Sequence, residues 1–209
     1  MKLLAHRGHW LERVETNSFH AFERAWSNGY GIETDLRDLD GAVVISHDPP
    51  ERGVRSVDEF FAAYAARGGN TPLALNIKAD GLQGAVAKAV ARYRVQNYFV
   101  FDMSVPDSLH YLRTSMPVFV RISEYEGDNP LLGRAAGVWL DAFESEWWTL
   151  DTVRTLHARG KTVAIVSPEL HKRPHEALWR TLKELEPEIR SGLMLCTDFP
   201  DAASEMFAD

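Results

Sequence analysis

Residues 2–48 read KLLAHRGHWLERVETNSFHAFERAWSNGYGIETDLRDLDGAVVISHD. A short apolar run at 2–5 is followed by apolar residues at helical spacing (Phe19, Phe22, Ala25, Trp26), a stop at Asn28-Gly29, and a second apolar run at 31–36. Strand, helix and strand in that order make a βαβ unit, whose two strands lie parallel. Asp40-Gly41 is a tight-turn signal before residues 42–46, which predicts a hairpin arm on the second strand.

The alternation continues to the end of the chain. Strand patterns recur at 73–77, 98–101, 118–122, 137–140, 162–166 and 192–196. Helical patterns lie at 56–66, 82–93, 106–112, 150–159 and 174–185, the first opened by Ser56 with Glu59 three residues on, a capping-box pattern. Residues 123–136 and 141–150 are the least regular connections. Eight βα units predict an α/β fold, a single TIM-type (β/α)8 barrel with an extra β arm after strand 2, in one domain spanning residues 1–209. An open Rossmann-like sheet is the alternative, but no Gly-x-Gly-x-x-Gly loop follows any strand.

With 209 residues, 45% hydrophobic and 25% charged, the chain has ordinary globular composition. A net charge of −7 argues against nucleic acid or an anionic membrane as partner, so an anionic substrate needs a local cation. Cys196 is the only cysteine, which excludes an intramolecular disulfide and fits a reducing compartment. The first apolar run is too short for a secretory signal, and no stretch approaches the ~20 apolar residues of a membrane span. These features predict a cytoplasmic protein of unassigned oligomeric state.

In a parallel barrel, chemistry sits at the C-terminal strand ends. Those ends carry His6-Arg7, Glu33 and Asp35, Asn76 and Lys78, Asp102, Arg121, Asp141, Ser167 and Glu169, and Thr197-Asp198. Any one of them fits an ordinary solvated loop; their gathering on one rim is the signal. Glu33 and Asp35 are two apart and project from one strand face, as do Asn76 and Lys78. Two carboxylates in a barrel mouth repel each other, and a hard divalent cation, Mg²⁺ or Ca²⁺, would resolve that cost. The alternative is a structural network with Arg7, Arg37 or Lys78. His6 and His47 have the chemistry of an acid–base pair, and Arg7 and Lys78 that of a phosphate clamp. Of the other six histidines, His20, His110, His157 and His175 read as helix or surface positions, while His9 and His171 lie near the rim.

His6-Arg7-Gly8, Glu15-Thr16-Asn17-Ser18, Glu33-Thr34-Asp35, Asp40-Gly41 and His47-Asp48, in that order, resemble the motif series of the glycerophosphodiester phosphodiesterase family. That family is a branch of the phosphodiesterase barrels that include phosphatidylinositol-specific phospholipases. Thr197-Asp198-Phe199-Pro200 resembles its closing motif. The resemblance implies a phosphoric diester hydrolase, a divalent cation on Glu33 and Asp35, His6 and His47 as catalytic residues, and Glu15 and Asn17 beside Arg7 and Lys78 in substrate binding. The partner would be a small-molecule or polymeric phosphodiester.

Three departures qualify it. The family's third strand ends Glu-x-Lys, with the glutamate on the metal; here it reads Asn76-Ile77-Lys78, and asparagine brings a carbonyl oxygen without charge. Asp102, at the next strand end, is the candidate substitute ligand. The segment after His47-Asp48 is short and lacks the family's usual insertion, implying an open mouth. The seventh strand ends Val166-Ser167-Pro168-Glu169-Leu170-His171 in place of Trp-x-x-Asn, leaving Trp139, Trp147, Trp148 and Tyr125 as pocket or packing residues. The alternative function is a catalytically impaired phosphoester-binding module.

Overall fold

A computed structural model describes residues 1–127 and 129–208. Its single sheet has nine strands: β1 (Lys2–His6), β2 (Gly31–Leu39), β3 (Ala42–Ile45), β4 (Leu73–Ile77), β5 (Tyr98–Phe101), β6 (Phe119–Ile122), β7 (Gly137–Leu140), β8 (Thr162–Val166) and β9 (Met194–Thr197). Eight of them run parallel in the order β5-β4-β2-β1-β9-β8-β7-β6, the circular succession of a TIM-type barrel. The seam between β5 and β6 closes through one parallel bridge, Val100 to Val118. Inside the barrel at that seam, the rings of Phe99 and Phe119 stack at 3.8 Å.

Strand alternation sorts the core. Leu4, Ala74, Phe99, Phe101, Phe119, Trp139, Ala164, Val166, Met194 and Cys196 fill the barrel interior. Small Ala74 and Ala164 leave room for the large rings, and Phe101 stacks on Trp139 at 4.0 Å. A Cβ on Gly137 would lie 2.5 Å from the Phe119 ring and from the Thr162 carbonyl, so this position tolerates no side chain. The residues in between face outward and bury under helices α1 (Phe19–Ser27), α2 (Val57–Ala66), α3 (Gln83–Tyr93), α4 (Val105–Tyr111), α5 (Leu150–Ala158), α6 (Glu176–Leu182), α7 (Pro187–Gly192) and α8 (Pro200–Phe207).

The local signals act as expected at α1, where the Ser18 hydroxyl accepts the Ala21 N–H, and at α2, whose Ser56–Glu59 capping box is formed in both directions. The hairpin arm forms as well. β3 pairs antiparallel with residues 36–39, and both turn residues, Asp40 and Gly41, have positive φ (50° and 83°), as a two-residue hairpin turn requires.

Four details differ from expectation. β2 runs on to Leu39 because the arm supplies it with a partner. The helix expected at 174–185 is the shorter α6. Gly192 ends α7 rather than opening the last strand, which begins at Met194. α8 closes the described chain; like α7 it starts with a proline in its first turn. No helix is long and apolar enough to cross a membrane among the described residues.

Candidate active site

The parallel register assembles the first half of the mouth. His6 lies beside Glu33, and Asp35 beside Asn76. All four sit at inward positions, with Glu33 and Asp35 only 2% and 1% exposed. Arg7 turns the chain out of β1 with φ 56°, and its N–H donates to the Glu33 carbonyl at 2.8 Å. Gly8 follows at φ 86°, where a Cβ would meet Ala21 of α1 at 2.9 Å. Glycine here lets the His-Arg-Gly turn press against the helix.

His6 is held at both ring nitrogens. Its Nδ1–H donates to Asp198 Oδ1 at 2.7 Å, and its Nε2 lies 3.9 Å from Glu33 Oε2. Burial opposes charge on this ring, but the Asp198 hydrogen bond and the Glu33 carboxylate outweigh it and raise the imidazole pKa above the ordinary 6.5. Glu33 is itself pushed up, first by burial and then by the charge of Asp35.

Asp35 is ringed by donors. Arg7 Nε lies 3.2 Å from Oδ2, Lys78 Nζ lies 3.6 Å from Oδ1, and Asn17 Nδ2 donates to Oδ2 at 2.9 Å. Asn17 Oδ1 in turn accepts the Thr34 hydroxyl at 2.8 Å, so Asn17 orients the second strand's carboxylate. Glu15 stands apart from this group. Its carboxylate pairs with Arg24 and accepts the Leu11 N–H at 2.8 Å, contacts that hold it at about 2 and tie the β1–α1 loop to α1.

Asn76 Nδ2 donates to Glu33 Oε1 at 3.2 Å, while its Oδ1 is buried without a partner. Two buried carboxylates and one unmatched carbonyl oxygen form an all-oxygen donor set, the chemistry that Mg²⁺ and Ca²⁺ take. Asp102 does not join them: its two oxygens meet Arg121 at 2.7 Å and Lys78 at 3.4 Å. No cluster of three His, Cys, Asp or Glu side chains is placed to hold a metal among the described residues.

His47 follows the β3 arm, half exposed, with Nδ1 donating to Asp48 at 2.9 Å. Its carbonyl accepts Arg37 Nη2 at 3.1 Å, which anchors the end of the arm to β2. His47 and Arg7 line a common cavity of about 510 Å³ between the arm and the start of α1.

The other half of the mouth is closed on itself. Asp141 accepts His171 Nε2 at 2.7 Å, and Arg121 Nε donates to Glu126 at 2.6 Å. Glu169 is bonded by Ser167, Thr197 and the Asp198 N–H. Trp139 packs inside the barrel, Trp148 is buried, Trp147 donates to the Asp141 carbonyl, and exposed Tyr125 donates to Glu144. His9, buried, pairs with Asp201 and serves packing. A larger cavity of about 970 Å³ lies on the flank between residues 129–133 and α5, where no helix follows β6 among the described residues.

Asp198 is the site residue that motif reading left without a role. Its signal was positional: it lies two residues beyond inward-facing Cys196, directly after the strand that pairs with β1.

This (β/α)8 barrel with its β arm has counterparts among solved structures of low sequence identity. Among solved structures, a glycerophosphodiester phosphodiesterase from Agrobacterium tumefaciens matches with TM-score 0.70 and 15% identity over 98% of this chain and 99% of that one. An Oleispira antarctica phosphodiesterase in complex with the product sn-glycerol-3-phosphate matches with TM-score 0.69 and 16% identity over 99% and 96%. A Ca²⁺-dependent phosphatidylinositol-specific phospholipase C from Streptomyces antibioticus matches with TM-score 0.58 and 12% identity over 99% and 96%. No family model and no curated sequence matches the chain.

Proposed function

We propose that this chain is a divalent-cation-dependent phosphodiester hydrolase, a single catalytic domain cleaving a glycerophosphodiester-like bond. The observation that carries the reading is His6 at the mouth of this barrel, oriented by Asp198 at 2.7 Å and set against the Glu33–Asp35–Asn76 oxygens.

Glu33, Asp35 and the Asn76 carbonyl would hold the cation, which when bound supplies charge stabilisation at the phosphoryl oxygens. Arg7 and Lys78 neutralise Asp35 here, and their remaining N–H groups are the donors for the non-bridging oxygens of the diester. His6 and His47 share the proton work: one takes a proton from the attacking hydroxyl or water, the other gives one to the departing alkoxide. Asp198 fixes the His6 tautomer with the proton on Nδ1, leaving Nε2 as the working nitrogen. The lone, buried Cys196 supports a reducing, cytoplasmic setting.

The test is an assay of the chelator-stripped protein on a panel of glycerophosphodiesters with Mg²⁺ or Ca²⁺ restored. Metal-dependent release of alcohol that vanishes in His6→Ala is expected. No turnover on any diester, with wild type and His6→Ala alike, would sink the reading. The neutral Asn76 favours a second reading, a phosphoester-binding module without catalysis. Calorimetric binding of sn-glycerol-3-phosphate that is indifferent to metal would single it out.

A further inference from the structure

We propose that the cavity beside His47 is a second anion subsite, taking a phosphate carried by one of the alcohols of the diester. This inference rests on the hydrolase reading and narrows it: the substrate is a phosphodiester bearing a further phosphate, as in a phosphodiester polymer or a phosphorylated polyol.

The cavity of about 510 Å³ is lined by Arg7, His20, His47 and Arg55, with Thr16 and Ser18 supplying hydroxyls. Asp48 is the one carboxylate in its lining; it is 87% exposed and is taken up by His47. Beyond Arg7 and His47, which the reaction uses, a chain with net charge −7 thus places the Arg55 guanidinium and the His20 imidazole in this concavity. A local concentration of one sign in a concave site focuses the field on an oppositely charged ligand.

The N-terminus of α1 adds to it. Phe19 and His20, the first residues of that nine-residue helix, line the cavity, and their N–H groups have no carbonyl within the helix to meet. Arg55 is available. Its ion pair with Glu59 at 3.1 Å joins two exposed side chains and is worth little, and its guanidinium stands over the Phe19 ring, 5.5 Å from the centroid. Arg7 and Lys78 already suffice for the scissile phosphate, so His20 and Arg55 are surplus to hydrolysis of a simple diester. The short connection after His47 leaves Gly53, Val54 and Arg55 as the outer wall, where a bulkier alcohol can enter.

The experiment compares kcat/KM on glycerophosphoglycerol with that on the same diester phosphorylated on its terminal glycerol, for wild type and the Arg55→Gln/His20→Asn double variant. Wild type should prefer the phosphorylated diester by about tenfold or more, the size expected from one or two charge-assisted hydrogen bonds. The double variant should lose that preference and keep its kcat/KM on the plain diester. Equal rates in wild type, or a preference that survives in the double variant, would overturn the subsite. If wild type cleaves neither diester, calorimetric titration with inorganic pyrophosphate decides the subsite alone, and the hydrolase reading is left to the wider diester panel. Binding weakened about tenfold in the double variant supports it; no binding, or binding untouched by the substitutions, overturns it.

Discussion

The two halves of the barrel mouth carry similar numbers of charged groups and treat them oppositely. On the β1, β2 and β4 side, two buried carboxylates press against each other, Glu33 is pushed up in pKa, and Asn76 Oδ1 has no partner. On the β6, β7 and β8 side the rim carboxylates among the described residues are answered: Asp141 by His171, Glu126 by Arg121, Glu169 by Ser167 and Thr197. Unsatisfied polar groups in a buried setting cost stability, so a fold keeps them where a ligand will complete them. The first half is therefore the side proposed to react. The second is satisfied within itself, and Asp198, directly after β9, reaches over to orient His6.

The largest break in this contrast comes from removing the acid–base group itself. His6→Ala should lower kcat by about 10³-fold, within the usual range for a general acid or base, while circular dichroism stays native. A loss under about tenfold in a steady-state assay would move the chemistry elsewhere on the rim. Asp198→Asn is the next step down, with an expected loss of about 10²-fold, since the ring and its neighbours remain but the orienting charge is gone. The sign of the accompanying pH shift follows from the cause. Asp198 helps hold the His6 pKa above 6.5, so its neutralisation lowers that pKa. Whichever limb of the kcat/KM profile His6 governs should move to lower pH, and an unmoved profile would leave Asp198 a purely structural residue.

A smaller effect should come from completing the donor set. Asn76→Glu adds a third carboxylate next to the buried pair. It should tighten Mg²⁺ or Ca²⁺ binding by about tenfold, measured by calorimetry, because affinity for hard cations follows ligand charge. The same substitution should lower thermal stability in the presence of chelator, since the new buried carboxylate then sits beside Glu33 and Asp35 with no cation of its own. Stability that is independent of metal would break the link between the unpartnered Asn76 oxygen and a cation.

The side proposed to react was also the more legible one, for a physical reason. His6, Arg7, Glu33, Asp35 and His47 belong to one βαβ unit and its arm, so local periodicity and strand parity were enough to group them. Lys78 and Asn76 followed from the next strand by the same parity. What reading by pattern missed depends on closure of the barrel. Asp198 meets His6 across 192 positions of sequence, a pairing that exists only because β9 lies beside β1. Asp102 looked like a free carboxylate at a strand end until the fold set Arg121 and Lys78 on either side of it. α7 was invisible for a different reason: it buries no residue, so no apolar stripe marked it.

The smallest expected effect on activity is the sharpest test of the contrast, because it falls on a pair that resembles the catalytic one. His171–Asp141 has the same 2.7 Å contact as His6–Asp198, a buried carboxylate, and a place at a strand end. The surroundings differ. Asp141 also accepts the Ala142 N–H at 2.9 Å, and the His171 ring lies 4.7 Å from that of Phe143, with no second carboxylate paired to it among the described residues. His171→Asn should therefore change kcat by less than about threefold, while removal of the buried hydrogen bond lowers stability by about 1 kcal/mol, read as a shift in urea midpoint. A hundredfold loss of kcat at unchanged stability would show that a histidine–carboxylate pair suffices for function on either side of the mouth, and that the crowded carboxylates and unpartnered Asn76 oxygen of the first half are not what selects it.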